Sequence, residues 1–385
     1  IGGTATTSGD SARPIATGIA TGLTAGNNVA NTGTISATAT GGTASSTGND
    51  AIAHATAQTE AIYASGSIDN SGAVTASATG GSAVALLDDA HAWGTAHGLY
   101  SRTGDVENTG DVSATATGGA ADGHDLAVAD ANAIGLYAYG GNAANSGALS
   151  IIALGGTATA DVNATSNAFA TGIYALGTLS NGAVLDVHAT AGTSTAGLAG
   201  ADANAVAHGL YAASGDVDND GAVTVSAAGG TADANVPAIA DANAVGIYSG
   251  AAVTNDGALT VTATGGQATI SDNGTSHSDY DASALAYAHG IQTVGDVDNT
   301  GVLTVTAAGG TATAQAGVNS AEVEAYGIAS QGQVSNTGAI TVTGTAGQAT
   351  EHVQSSITGS AAYAQATVYG ISSVPMEHAT PQLAA

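Results

Sequence analysis

The chain has 385 residues, of which 57 are glycine, and only 8% are charged. One Trp, one Phe and one Met are too few for a core of interlocking large side chains. The 30 acidic residues face only two basic ones, and the net charge of −28 excludes a phosphate-binding surface.

The same composition limits the partners. We expect no nucleic-acid partner and no electrostatic attachment to anionic lipid, because the chain has no lysine and only Arg13 and Arg102. No run approaches the ~20 consecutive apolar residues of a membrane helix, so we expect no membrane insertion. A chain free of Cys and Lys and rich in Gly, Thr, Ala and Asn is typical of large bacterial surface proteins. It starts at Ile1 rather than Met, which favours secretion to an extracellular or cell-surface location.

The first recurring element is a Val-x-Asn-x-Gly-x-Val/Leu/Ile motif. Its apolar and polar residues alternate, which predicts a short strand at a corner. A ninth copy, at Asn181-Gly-Ala-Val, lacks one residue. The full copies are centred on Asn31, Asn70, Asn108, Asn145, Asn219, Asn255, Asn299 and Asn336.

Further strands follow each motif. A β-branched run such as Leu259-Thr-Val-Thr comes first and ends at a Gly-Gly pair such as Gly265-Gly266, where a tight corner is expected. Next comes a stretch with Ala at alternate positions, such as Ala201-Asp-Ala-Asn-Ala, which predicts a strand with one face of methyl groups. A Gly-Leu/Ile-Tyr landmark closes the repeat. Its tyrosines, together with Tyr63, recur every 37 residues, at Tyr63, Tyr100, Tyr137, Tyr174, Tyr211 and Tyr248.

These repeats predict an all-β fold, a parallel β-helix (β-solenoid) with about nine repeats of about 38 residues. Each landmark occurs once per repeat, which favours one wide coil per repeat over two narrow ones. Like residues would then stack at ~4.8 Å, so that the asparagines and the tyrosines above form structural ladders. We expect a single solenoid domain at 1–372, a tail at 373–385, and an excursion loop around Ser271–Tyr280.

The Val-x-Asn-x-Gly-x-Ile and Ala-x-Gly-Ile-Tyr patterns resemble the passenger repeats of bacterial autotransporters and haemagglutinin-like surface proteins. The resemblance covers about residues 22–372. It implies a β-solenoid at the cell surface and leaves the function open, because such passengers include adhesins, proteases and inert fibres.

Few residues are candidates for a ligand site. Asp216, Asp218 and Asp220 place oxygen donors at alternate positions, as at the start of a calcium loop, although Ala227 stands where a bidentate Glu would be needed. The alternative is a solvated corner of the repeat. The ten histidines are scattered, which is typical of polar surface residues rather than of a zinc site. No catalytic motif occurs, so we expect neither an enzyme nor a cofactor other than calcium.

Three functions remain. The leading hypothesis is an extracellular structural subunit that associates head to tail into a filament or lattice, because uncapped solenoid ends expose unpaired backbone. The first alternative is a monomeric adhesin that binds a glycan or a surface receptor. The second, suggested by Thr-x-Thr strands such as Thr260-Val-Thr262, is an ice-binding protein.

Overall fold

The computed structural model describes residues 1–8, 13–49, 51–271, 281–314, 318–351 and 361–372. These residues form an all-β solenoid of stacked parallel strands with about nine turns and ~37-residue spacing, which confirms the predicted fold class. Within them, no helix is long and apolar enough to cross a membrane. The predicted tail at 373–385 and nearly all of the expected excursion loop lie outside the described residues.

Each complete coil contributes one strand to each of five sheets, which we number in chain order from the sheet with the longest strands. Sheet 1 holds the longest strands, which end in the Gly-Leu/Ile-Tyr landmark. They are Gly18–Ala25, Ala57–Ala64, Gly94–Ser101, Ala131–Ala138, Ala168–Ala175, Ala205–Ala212, Ala242–Ser249, Ala286–Thr293, Val323–Ser330 and Ala366–Ser372.

Sheet 2 contains the asparagine motif. Its strands are Val29–Asn31, Ile68–Asn70, Val106–Asn108, Ala143–Asn145, Leu179–Asn181, Val217–Asn219, Val253–Asn255, Val297–Asn299 and Val334–Asn336. Sheet 3 holds the β-branched runs. Its strands are Ile35–Thr40, Val74–Thr79, Val112–Thr117, Leu149–Leu154, Leu185–Thr190, Val223–Ala228, Leu259–Thr264, Leu303–Ala308 and Ile340–Thr345.

The alanine-rich part of each repeat forms the last two sheets. Sheet 4 consists of Thr4–Thr7, Thr43–Ser46, Ser82–Ala85, Ala120–Gly123, Thr157–Ala160, Thr193–Ala196, Thr231–Ala234, Gln267–Ile270, Thr311–Ala314 and Gln348–Glu351. Sheet 5 consists of Ala53–His54, Ala90–His91, Leu126–Val128, Asn163–Thr165, Ala201–Asp202, Ala238–Ile239, Ala282–Ser283, Val318–Ser320 and Ala361–Tyr363.

The strand register confirms one coil per repeat. Asn31 lies beside Asn70, and Tyr63 lies beside Tyr100, so each landmark contacts its equivalent one repeat along the chain. The apolar residue before the asparagine forms an internal column in the same way. Its members are Val29, Ile68, Val106, Ala143, Leu179, Val217, Val253, Val297 and Val334.

A waist at the Gly-Gly corners divides each coil into two lobes. The second residue of the Gly-Gly corner donates its backbone N–H across the coil, as Gly81 does to Ala55 at 2.8 Å and Gly156 to Ala129 at 2.7 Å. The wide lobe, enclosed by sheets 1 to 3, buries Leu, Ile and Val side chains. The narrow lobe, between sheets 4 and 5, is filled mainly by alanine methyl groups, as the alternating alanines predict.

The close stacking of the Gly-Gly corners from coil to coil predicts a sharp difference between two glycines. A methyl group on Gly156 would run into the Gly119 carbonyl oxygen and lie 2.7 Å from the Gly118 carbonyl carbon, both rigid backbone. We therefore expect Gly156→Ala to lower the free energy of unfolding by roughly 2–3 kcal/mol, as overpacking does. Urea unfolding followed by circular dichroism measures this change.

Gly26→Ala is the matched control, because nothing lies within 4 Å of its added methyl group. It should leave stability within about 0.5 kcal/mol of the parent. Equal effects at the two positions would contradict this close stacking of the corners.

Candidate functional site

The asparagine motifs form one continuous column of side-chain amides along the solenoid. The Nδ2 group of each asparagine donates to the Oδ1 atom of the asparagine one coil further on, at 2.7 Å from Asn31 to Asn70 and at 2.6 Å from Asn299 to Asn336. This bonding confirms the predicted ladder. Its members are Asn31, Asn70, Asn108, Asn145, Asn181, Asn219, Asn255, Asn299 and Asn336.

Each amide also holds its own corner in place. The Nδ2 group of Asn145 donates to the Gly147 carbonyl at 2.8 Å as well as to Asn181, so both of its N–H donors are used. Asn181 stands outside the expected ladder because its copy of the asparagine motif lacks one residue. It nevertheless lies in the column, and its Nδ2 group donates to the Ala183 carbonyl at 3.0 Å. All of the inter-coil bonds run in one direction, so the ladder gives the solenoid a polarity.

The tyrosines of sheet 1 form the second predicted ladder. Their rings lie on the outer face, nearly parallel, with centroids 4.6–5.4 Å apart from Tyr63 to Tyr248. Although they lie on the outer face, the stacked rings shield one another from solvent: Tyr174 and Tyr211 are only 7% and 8% exposed. Burial and the neighbouring rings raise the pKa of Tyr137 and Tyr211 to about 12, so these hydroxyls stay protonated.

The later repeats lack this tyrosine because the ring has moved to another column. The outer face of sheet 1 is creased between the fourth and seventh positions of each strand, where His97 and Tyr100 stack at 5.8 Å. In the ninth and tenth strands Tyr326 and Tyr369 occupy the fourth position and stack at 4.9 Å, while the seventh position is the small Ala329 or Ser372. Either column can thus fill the crease, which we call the outer crevice.

Three histidines lie in the outer crevice, contrary to the expectation that the histidines are exposed surface residues. Burial lowers the pKa of His97, His208 and His289 to about 4, so these rings are neutral near pH 7. Each has a buried ring nitrogen without a hydrogen-bond partner. Elsewhere, His54 and His91 stack at 4.9 Å beside the edge of Trp93.

A further column, of Asp and Asn, was missed at the sequence level. It lies between sheets 5 and 1 and consists of Asp130, Asn167, Asn204 and Asp241. The side chain of each accepts a hydrogen bond from the backbone N–H of the equivalent residue in the following coil, at 2.7–3.0 Å, and for Asp241 that residue is Leu285. The signal was present, since these four residues are spaced 37 apart.

Two acids in this column, Asp130 and Asp241, are partly buried. Desolvation raises the pKa of Asp130 to about 6 against the lowering effect of the Asn167 N–H, with a smaller raising contribution from Asp202. Desolvation likewise raises the pKa of Asp241, although that carboxylate accepts hydrogen bonds from Leu285 and Ser283. Ionising these groups near neutral pH therefore costs folding free energy.

The three calcium candidates lie around the sheet 2 strand Val217–Asn219: Asp216 precedes it, Asp218 lies within it and Asp220 follows it. Asp216 accepts the Ala252 N–H at 2.9 Å, while Asp218 and Asp220 are exposed. Across the described ranges, no three His, Asp or Glu side chains are grouped so that they could hold a metal ion. The structure thus uses Asp216 as a bridge between coils, and calcium binding stays a prediction without a built site.

Comparison of the chain with protein-family models, with curated proteins and with solved structures gave no match. The architecture is a repeat β-helix, which is the coarse feature that the sequence resemblance implied. The autotransporter or haemagglutinin origin stays a hypothesis.

The asparagine ladder predicts a position-specific loss of stability. Asn145→Ala removes the amide from the middle of the column and leaves the Asn108 donor and the Asn181 acceptor unpaired in a buried place. We expect the free energy of unfolding to fall by about 2–4 kcal/mol, measured by chemical denaturation. Ser146→Ala, which removes only a long hydrogen bond of 3.5 Å to Asn108, should cost less than about 1 kcal/mol. Equal losses would show that the ladder contributes nothing.

The raised pKa of Asp130 predicts that removing its charge stabilises the protein by an amount that depends on pH. Because its pKa rises from 3.8 to about 6 on folding, the folded state loses stability as pH rises from about 4 to about 6. Asp130→Asn keeps an Oδ1 acceptor, as Asn167 and Asn204 do naturally, and removes the charge. The variant should be more stable than the parent by about 3 kcal/mol at pH 8 and by close to zero near pH 4.

The three crevice histidines have lowered pKa values and therefore destabilise the fold as pH falls from about 6.5 to 4, the opposite pH dependence to that of Asp130. Their contribution is the same in variant and parent, so it cancels in the difference between the two free energies of unfolding. Asp111→Asn, at an exposed site, is the control and should give a small difference at every pH. A flat difference for Asp130→Asn would contradict the assignment.

Proposed function

We propose that this chain is an extracellular structural rod that associates end to end. One column of sheet 1 carries the proposal. Its inner members, such as Ile62, Leu99 and Ile328, are fully buried, whereas its terminal members Leu23 and Ile371 are 36% and 51% exposed. Apolar side chains exposed at both ends of one buried column are what a second copy would cover.

The edge strands of sheets 1 and 4 also support end-to-end association. Among the described strands, Gly18–Ala25 and Ala366–Ser372 are the two edges of sheet 1, and Thr4–Thr7 and Gln348–Glu351 are the two edges of sheet 4. Each of these strands pairs with a described strand on one side only, so a parallel strand of a second copy can pair on the other side. Joining unlike ends is heterologous, and repeated addition gives an open fibre rather than a closed ring.

The junction would not be a perfect continuation of the spiral. Sheets 1 and 4 each have ten strands, but sheets 2 and 3 have nine. When a second copy pairs with sheets 1 and 4, it therefore stands one strand away from the last strands of sheets 2 and 3. We infer that sheets 1 and 4 supply the pairing at a junction, and that the asparagine ladder orients the rod without crossing from copy to copy.

Charge sets the conditions for assembly. A net charge of −28 per chain opposes association, and the two arginines cannot neutralise it. Salt, divalent cations and mildly acidic pH should therefore favour growth, because they screen the carboxylates or protonate them. Secretion and a place at the cell surface follow from the composition and from the autotransporter resemblance, and they belong to this proposal.

The second candidate is an adhesin, and one observation favours it. Tyr139 and Leu176 are 54% and 43% exposed at the turn between sheets 1 and 2, and Tyr139 lies over Tyr137 with ring centroids 6.1 Å apart. Tyr139 follows Ala138, which pairs with Ser101, so the exposed ring and the exposed Arg102 occupy equivalent positions in adjacent coils and offer a small surface for a glycan or a receptor. This surface lies on the side of the rod and does not depend on the ends.

The end-to-end proposal is tested at the two exposed column residues. Leu23→Asp and Ile371→Asp each place a charge in the apolar centre of the junction and should weaken association at least about tenfold. Analytical ultracentrifugation across concentration and salt measures this, with electron microscopy to see the rods. Leu198→Asp, which changes a 69% exposed leucine away from the ends, should leave assembly intact.

Parent protein that stays monomeric at high concentration, in high salt and at mildly acidic pH would defeat the filament. Retention of that monomer on a glycan array, lost in Tyr139→Ala, would move the assignment to the adhesin.

A further inference from the structure

The outer face of sheet 3 is nearly free of charge. Its strands point their second, fourth and sixth residues outward, and 21 of these 27 residues are Ser or Thr, as in Thr260, Thr262 and Thr264. The exceptions are Ile152, Leu154, Asp186, His188, Ala228 and Ala308. Ser and Thr side chains of similar height on parallel strands make most of this face flat, and Asp186, in the middle strand, is its one acid.

Every other side of the rod carries acids. The outward column of sheet 2 contains Asp69, Glu107, Asp218 and Asp298. Loops at the edge of the narrow lobe contain Asp88, Asp125 and Asp161, and sheet 4 contains Asp122 and Asp233. Sheet 5 contains Asp202, and sheet 1 contains Glu60 and Glu324. Of these sides, sheet 3 therefore opposes the close approach of a second chain of charge −28 least.

The face is large enough for a stable pairing. Nine strands at ~4.8 Å span about 43 Å, and six residues at ~3.3 Å give a width of about 20 Å, which makes a face of about 850 Å². A standard interface buries about 800 Å² on each partner. Ile152 and Leu154, the latter 38% exposed, lie near the middle of the face, where an interface needs its apolar contacts.

We propose that the outer face of sheet 3 is a lateral interface that binds the same face of a second copy. The interface is isologous, so each chain offers the identical patch. Threonine methyl groups and the Ile152–Leu154 pair supply apolar contact, and the hydroxyl groups satisfy one another across the interface as they do between strands. Lateral pairing uses no residue of the proposed end junction, so rods that also join end to end become paired filaments.

The experiment separates the lateral interface from the ends. In the Leu23→Asp background, which blocks end-to-end growth, sedimentation equilibrium at moderate salt should give a dimer. Adding Thr262→Glu and Thr306→Glu places like charges on the face and should raise the dimer dissociation constant at least about tenfold. Thr254→Glu is the matched control, because it lies in the sheet 2 column that already holds Asp218 and Asp298, and it should leave the dimer intact.

Three outcomes overturn the proposal. One is a Leu23→Asp protein that stays monomeric at all concentrations, and another is a dimer that survives both face substitutions. The third is a monomer that inhibits ice recrystallisation and loses that activity with Thr262→Glu and Thr306→Glu, which would assign the hydroxyl face to ice. Failure of end-to-end growth in the parent leaves the dimer measurement unaffected, so the two proposals are tested separately.

Discussion

In-register stacking of identical residues is the constraint on which the rest of this structure depends. When each repeat makes one coil, any side chain that enters the core meets its own equivalent at about 4.8 Å above and below. Such a column favours apolar side chains, which pack on any apolar neighbour, and polar side chains that can bind their own kind in a row. Asparagine does so because its amide has both a donor and an acceptor, and the ladder from Asn31 to Asn336 uses both. Tyrosine does so by stacking its rings.

The same constraint explains why the chain is built from small residues. A coil of about 37 residues with a single thick core would need large side chains that this sequence does not have. Instead, the two layers meet at the waist, where Gly156 and its equivalents donate directly to the opposite backbone. The waist leaves a narrow lobe that alanine methyl groups mainly fill, and a wide lobe that Leu, Ile and Val side chains fill.

The sequence predicted the fold, the coil size and both ladders, because these follow from the spacing of landmarks. It did not predict the waist, since the Gly-Gly pair indicates a corner and gives no hint of the strand it contacts. The outer crevice was also missed: Tyr326 and Tyr369 stand outside the 37-residue series, and only the bend of sheet 1 brings both columns to one place. The Asp130–Asp241 column had a sequence signal of equal spacing, but four polar residues in a repetitive chain do not stand out.

Function is predicted less well than fold because a solenoid exposes the same motif many times and singles out no residue. The absence of cysteine nevertheless allows a direct test of the stacking constraint, since paired cysteines can be labelled cleanly. Asp69→Cys and Asp298→Cys lie in one outward column of sheet 2, six coils apart. With spin labels at both sites, pulsed electron–electron double resonance should give a distance of about 29 Å for one coil per repeat. A distance of about 58 Å, as two coils per repeat would require, would contradict the account.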